Sequence, residues 1–348
     1  MPGIVVVGAG IVGSSVAYHL AREGAPVTLL ERGPAPGIGV TGDSFAWIGG
    51  FGGDWPGGAQ DLRGYVLADY QRLEAELPQL VVRRTGSLAW TDTPAKATSD
   101  AHPGPGQLRI GRRDIATLEP NLLHPPDHAL HIPSDAGIDP TELSGALVAA
   151  ACAHGANVLY ETAVTALQMT GGRIVGVQSS TGFHAASTVV LTAGAHVPRL
   201  CEPLLRGGLP LGVSPATLAR VAAPPGLVKT IVATPDFEVR EVRDGDLLLT
   251  VPQREGTAAT AEQAARRALR LLQTAFRGGG QARLVGYRTA DRPMPAHGPL
   301  IGYVVPNRSV YVAVMHSAVT LAPTAGRLVA EELTTGRPPR ELRRCRPN

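Results

Sequence analysis

At 348 residues the chain is too long for one typical domain and fits about two, and 44% hydrophobic residues supply a sizeable core. A net charge of +3, carried by scattered arginines with lysine only at 96 and 229, excludes the clustered basic footprint of a nucleic-acid binder. The three cysteines, Cys152, Cys201 and Cys345, share no Cys-x-x-Cys spacing, so neither a disulfide framework nor a metal motif is expected, and a reducing, cytoplasmic setting is the default. No apolar run is long enough for a transmembrane span, and the apolar N-terminal stretch is broken by glycines and has no charged leader or cleavage site.

The first element is the most informative. Ile4-Val5-Val6-Val7 runs into Gly8-Ala9-Gly10-Ile11-Val12-Gly13, a helix is expected from Ser14 to Glu23, and Val27-Thr28-Leu29-Leu30 ends on Glu31. Gly8 permits the tight turn out of the strand, Gly10 lets backbone approach a pyrophosphate, and Gly13 lets the helix pack close to the strand. The helix N-terminus offers unpaired N–H groups to phosphates. Glu31, 23 residues after Gly8, can accept hydrogen bonds from an adenosine ribose. The fingerprint reads as a dinucleotide site and fits NAD, NADP or FAD equally.

Residues 34–58 are rich in Gly and Pro, a loop long enough to be functional. A helix is expected over 62–77, a surface loop over 94–106, and a short helix from Asp114 to Glu119. Asp139 and Pro140 then supply an N-cap and first helical residue for an Ala-rich helix over 141–154. Strands are expected at 157–160, 163–169, 173–180 and 188–193, with Gly171-Gly172 as a hairpin turn. Residues 206–283 read as short strands between Pro/Gly turns, then a helix at 258–276. A strand over Val310–Val314 leads through Met315-His316-Ser317-Ala318 into a helix over 321–334.

This order returns to the nucleotide-binding half twice, at 134–205 and near the C-terminus. Such a discontinuous layout is unusual for NAD dehydrogenases and common among flavoproteins. Three blocks make the chain resemble the FAD-dependent D-amino-acid oxidase, glycine oxidase and sarcosine oxidase superfamily. The first is the Gly8–Gly13 turn with Glu31-Arg32. The second is Ala136-Gly137-Ile138-Asp139-Pro140 with its helix, ending in Leu191-Thr192-Ala193-Gly194-Ala195. The third is Arg292-Pro293-Met294-Pro295-Ala296-His297-Gly298-Pro299-Leu300-Ile301-Gly302, followed by His316-Ser317-Ala318-Val319-Thr320-Leu321-Ala322-Pro323.

The resemblance implies an α/β (α+β) fold. A Rossmann-type, glutathione-reductase-like FAD-binding domain would be made from 1–80, 134–205 and 284–348. A discontinuous β-rich substrate domain would be made from 81–133 and 206–283. It implies FAD-dependent oxidation of a small amine or amino acid, by hydride transfer to flavin N5, with O2 or another electron acceptor. Glu31 and Arg32 would serve the adenosine end, with Val164 backbone at the adenine and Ala193-Gly194 closing the strand beside the turn. Thr41, Ser44 and Phe45 would lie along the flavin. Ser317, Ala318, Val319 and Thr320 would face its pyrimidine edge, where a helix N-terminus stabilises the negative charge of the reduced ring. Arg292 would anchor a substrate carboxylate through its planar fork, with His316 beside the flavin or substrate.

The chain departs from the family pattern at His297, where Asp is usual, and at Ala318, where Gly is usual. No cysteine lies near the C-terminal signatures, so FAD is expected to be non-covalent. The scarcity of lysine leaves the acceptor open. Arg240 is a weaker candidate for substrate contact. Trp47, Trp55, Tyr287 and Tyr303 are candidates for lining the pocket or packing the core. The spacing of His124, His128 and His131 does not suit a metal. An NAD(P)-dependent dehydrogenase and a non-catalytic FAD-binding or electron-transfer subunit remain as alternatives, and the oligomeric state is open.

Overall fold

The computed structural model describes residues 3–49, 56–91, 104, 106–205, 207–250 and 260–347. Trp55, Lys96 and most of the loop expected over 94–106 lie outside the described residues. The N-terminal third holds β1 (Ile4–Val7), α1 (Ile11–Arg22), β2 (Val27–Leu30), β3 (Trp47–Ile48), α2 (Ala59–Arg63), α3 (Val66–Glu76), β4 (Ser87–Ala89), β5 (Leu108–Gly111) and α4 (Arg112–Leu118). The middle holds β6 (His128–Ile132), β7 (Ala136–Gly137), α5 (Pro140–Ala153), β8 (Asn157–Leu159), β9 (Val164–Thr170), β10 (Arg173–Ser179), β11 (Gly182–Ala185), β12 (Thr188–Leu191) and α6 (Val197–Cys201). The last part holds β13 (Leu211–Ala222), β14 (Ile231–Ala233), β15 (Glu238–Arg243), β16 (Asp246–Thr250), α7 (Ala261–Ala275), β17 (Arg283–Pro295), β18 (Leu300–Tyr303), β19 (Val310–Val314) and α8 (Ala318–Thr335).

Two sheets dominate. The first has the order β18-β19-β12-β1-β2-β8, parallel except for β18. Its strands are apolar on both faces because both are covered. Val6 turns to the side of α1, α5 and α8, while Val5 and Val7 turn to the side of the β9–β11 sheet. The second sheet has the order β17-β13-β16-β15-β14-β4-β6-β5. It is antiparallel except for the β14–β4 pair. One of its faces carries Ala219, Val221, Val239, Leu247 and Leu249 onto Ala265, Ala268 and Leu272 of α7. Besides the three-stranded β9–β11 sheet, a two-stranded ladder joins β3 to β7, pairing Trp47 with Gly137.

Most expected elements form, and the differences have local causes. The helix expected over 62–77 is two helices, because Gly64 and Tyr65 interrupt it. The last helix begins at Ala318 rather than 321, with Pro323 inside it. Proline cannot donate to the carbonyl four residues back, and the freed Val319 oxygen instead accepts the Tyr70 hydroxyl at 2.5 Å. The largest difference is β17. Its sequence, rich in Arg, Asp and Pro, has no clear apolar alternation, yet it pairs along its length with β13. It is an edge strand, where Pro293 and Pro295 leave no ladder donor missing on the paired side. The boundary expected at 284 therefore runs into β17, and the arginine motif sits in the second sheet.

Candidate functional site

The β1–α1 turn is shaped by two glycines. Gly8 has φ +100, and a side chain on Gly13 would place its Cβ 1.9 Å from the Gly8 carbonyl oxygen. The turn abuts the end of β12. Thr192 Oγ1 donates to the carbonyls of Val7 (2.8 Å) and Gly8 (3.0 Å), and Ala193 lies against Gly8, with Gly194 next at φ +56. Gly10 caps α1 without a side chain, so the N–H groups of Val12 and Gly13 have no acceptor within the helix. The Ile11 N–H donates to Thr41 Oγ1 at 3.1 Å, which brings the following loop over the same helix end. Glu31 is nearly buried. Its carboxylate accepts the Ala9 N–H at 2.6 Å and the Gly33 N–H at 2.8 Å. This fixes its oxygens at the turn while leaving each a further lone pair. Arg32 reaches His196 at 3.0 Å, and burial with Arg32 and Arg199 nearby pushes the His196 pKa down. Val164 packs at the edge of the core beneath Val5, Val7 and Leu30.

Of the residues expected along the flavin, Thr41 bonds at the glycine turn, while the others gather where the two sheets meet. Ser44 Oγ accepts the Ala46 N–H at 3.1 Å, and Ala46 is held at φ +54. Phe45 packs on Leu218, Val242 and Leu248 of the second sheet. Thr320 Oγ1 donates to the Trp47 carbonyl at 2.7 Å, tying the start of α8 to this loop. Trp47 Nε1 donates to Asp135 at 2.9 Å. Ser317 sits at φ +54 at the helix start, with Oγ 3.2 Å from His316 Nδ1. Val319 is buried through its contact with Tyr70, and Ala318 opens the helix.

Arg292 projects from β17 on the sheet face that carries Leu218 and Leu248. Its Nη2 donates to Ser214 Oγ at 3.0 Å and its Nε to the Ser214 carbonyl at 3.4 Å. It forms no ion pair among the described residues. His316 lies close enough that burial, and secondarily the Arg292 charge, lower its pKa and keep the ring neutral near pH 7. Arg240 differs from its expected role. It is 2% exposed and donates to the carbonyls of Phe45 and Ile138, the latter at 2.7 Å. Burial pushes its pKa down to about 10. It therefore clamps the Phe45 loop to the residue after β7, and its Nη1 has no partner among the described residues.

Of the other candidates, Tyr303 stacks edge-on against Tyr311 at 4.8 Å in the first sheet, and Tyr287 is exposed on β17. No group of three or more His, Cys, Asp or Glu side chains that could hold a metal occurs among the described residues. No described helix is long and apolar enough to cross a membrane. The sequence reading passed over Glu238, Thr250 and Ser214. Their signal was available in Phe237-Glu238-Val239-Arg240, where alternation sends Glu238 and Arg240 to one face.

The donors present suit FAD: a bare helix N-terminus at the glycine turn, a fixed acid at its side, and a loop and helix start converging some distance away. Comparison with known proteins agrees. D-amino acid dehydrogenases of Cereibacter sphaeroides and Methylobacterium nodulans are each 28% identical to this chain. The matches cover 97% of it and 92% and 96% of those proteins. The crystal structure of glycine oxidase from Geobacillus kaustophilus superposes with a TM-score of 0.86 at 20% identity, covering 99% of this chain and 98% of that one, and so shares the fold. The family model described as FAD dependent oxidoreductase matches residues 3–332. That match sets aside the nicotinamide alternative: the chain belongs to the FAD-dependent oxidoreductase family.

Proposed function

We propose that the protein oxidises a small amino acid or amine to the imine, with electrons passing to O2 or to another acceptor. FAD, when bound, supplies the hydride acceptor. The chain's residues bind, orient and shield. Gly10 and the α1 N-terminus receive the pyrophosphate, and Glu31 receives the ribose hydroxyls. The Phe45 loop and the Ser317–Thr320 helix start close on the ring system, with the α8 dipole favouring negative charge there. Cys201 and Cys345 are buried with pKa values pushed up to about 12, which suits FAD held without a covalent thiolate link.

The observation that carries the reading is Arg292. It lies on the face that meets the Phe45 loop, near neutral His316, and among the described residues is held only by Ser214. A guanidinium so placed offers its fork to a substrate carboxylate, and the uncharged His316 ring can accept or donate one hydrogen bond beside it. The test is anaerobic bleaching of the FAD-loaded protein by a panel of amino acids and amines, then peroxide measurement on readmitting air. Arg292→Ala should raise KM for carboxylated substrates far more than for simple amines. Equal loss on both would make Arg292 structural. FAD that no amine reduces would favour a non-catalytic, FAD-binding subunit.

A further inference from the structure

Glu238 lies across the same sheet face as Arg292. Arg288 pairs with Leu218, Leu218 with Thr250, and Thr250 with Glu238. Directly paired residues point to one side, and steps of two along a strand stay on it, so Arg292 and Glu238 share the face that meets the Phe45 loop. Thr250 Oγ1 donates to Glu238 Oε2 at 2.8 Å and fixes the carboxylate. Oε1 has no hydrogen-bond partner among the described residues. The Arg292 charge reaches Glu238 and counteracts the burial that raises its pKa, yet the two form no ion pair. An anion held by Thr250 and a cation held by Ser214 thus lie on one sheet face, within electrostatic reach but not in contact. Arg240, on the same face of β15, is turned to the Phe45 and Ile138 carbonyls, with the charges of Asp139 and Asp246 favouring its protonated form.

Resting on the function proposed above, we infer that Glu238 receives the substrate's ammonium group while Arg292 receives its carboxylate. The site is then built for the zwitterion of an α-amino acid rather than for a simple amine. As the ammonium nitrogen must lose a proton before its carbon can release hydride, Glu238 is also placed to take it. The N–H bond breaks, an O–H bond forms on Oε1, and the electron pair stays on nitrogen.

The test compares two ligands of one carbon skeleton on the FAD-loaded protein, read by perturbation of the flavin spectrum. α-Aminoisobutyrate has no α-hydrogen to lose, and isobutyrate lacks the amine. Glu238→Gln should weaken α-aminoisobutyrate by about 10- to 100-fold, the scale of one charge-assisted contact, and leave isobutyrate unchanged or tighter. Glu238→Asp should recover part of the loss. Parallel changes for both ligands, or no change for α-aminoisobutyrate, would overturn the assignment.

The wild-type protein gives a second reading should Glu238→Gln not hold FAD. The ionisable groups on this face are Arg292 and Arg288 of β17, the latter 3.7 Å from Asp43, the Arg220–Asp246 pair (2.6 Å) of β13 and β16, and Arg240 on the same strand, with His316 beside Arg292. Burial raises the Glu238 pKa, so on acidification it protonates first among the carboxylates of this face that lack a cation in contact. α-Aminoisobutyrate should then weaken while isobutyrate does not, and parallel pH trends would overturn the inference. If amino acids bleach the flavin but Glu238→Gln leaves the ligand ratio unchanged, the proposed function stands and the role of Glu238 falls. If no amino acid bleaches it and neither ligand binds, both fall together.

Discussion

The six-stranded and eight-stranded sheets hold their functional residues by different means. At the β1–α1 turn, backbone does the holding. Gly8, Gly10 and Gly13 remove side chains, and Thr192, Thr41 and Glu31 bond to main-chain atoms within a few residues of the turn. At the second sheet, side chains do it. Arg240 bridges two loops and Ser214 holds Arg292 across elements far apart in sequence, while Thr250 fixes Glu238 across neighbouring strands. A nucleotide's pyrophosphate and ribose are the same in every relative, so a backbone cradle suffices. A substrate differs from enzyme to enzyme, and side chains on a sheet face can be exchanged without moving the ladder beneath them.

If this contrast is right, perturbing the backbone cradle should damage the whole protein, whereas perturbing the second face should act locally. The largest effect is expected from Gly13→Ala. Its Cβ would fall 1.9 Å from the Gly8 oxygen and 2.5 Å from Thr192 Oγ1, so strand and helix must separate. We expect a loss of about 3 kcal/mol together with loss of FAD, read by thermal denaturation and the ratio of flavin to protein absorbance. Retained FAD with normal stability would break the comparison.

Acid should act next, through His19 of α1. Burial, helped by Arg72, Arg22 and Arg327, pushes its pKa from 6.5 down to about 3. Because the folded value is the lower one, the unfolded state binds the extra proton between those limits. Stability is full above pH 6.5 and is lost as pH falls toward 3. The loss should reach about 2 kcal/mol by pH 5, and His19→Gln should flatten it in urea titrations at several pH values.

Arg240→Leu strands the Phe45 and Ile138 carbonyls. It also removes a buried cation whose Nη1 is unpaired, which offsets part of the cost. A net loss of about 1.5 kcal/mol is expected, with FAD affinity falling more than global stability, measured by flavin titration beside a melting curve. The smallest effect is expected from Thr192→Val, about 1 kcal/mol from one hydroxyl shared between two carbonyls.

The sequence disclosed these regions unequally for the same reason. The glycine turn, Glu31, the Asp139–Pro140 helix start and the Val310–Val314 strand are local patterns, readable because a glycine spacing or an apolar run is itself the structure. The face carrying Arg292 and Glu238 depends on β17 pairing with β13 across about 70 residues of chain. Nothing near Arg283–Pro295 announces a strand, since an exposed edge needs no apolar alternation. The sequence offers Arg240 as a candidate for substrate contact, but only the folded chain shows its guanidinium turned toward loop carbonyls. Glu238, two residues before it on the same face, keeps Oε1 without a hydrogen-bond partner among the described residues.

The order of β1 in its sheet has a consequence for synthesis. Its neighbours are β2, made almost at once, and β12, made near residue 190, while β19 is completed only at Val314. A ribosome therefore carries Val5, Val6 and Val7 without their final cover for about 15–60 s, until α8 and the last strands emerge. The parallel β1–β2 pair with its α1 crossover must either stay loose or find temporary shelter during that interval. Slowing translation after residue 190 should leave β12 available but α8 absent, and soluble yield would then depend on chaperone supply more steeply than for a chain whose sheet is built from consecutive strands.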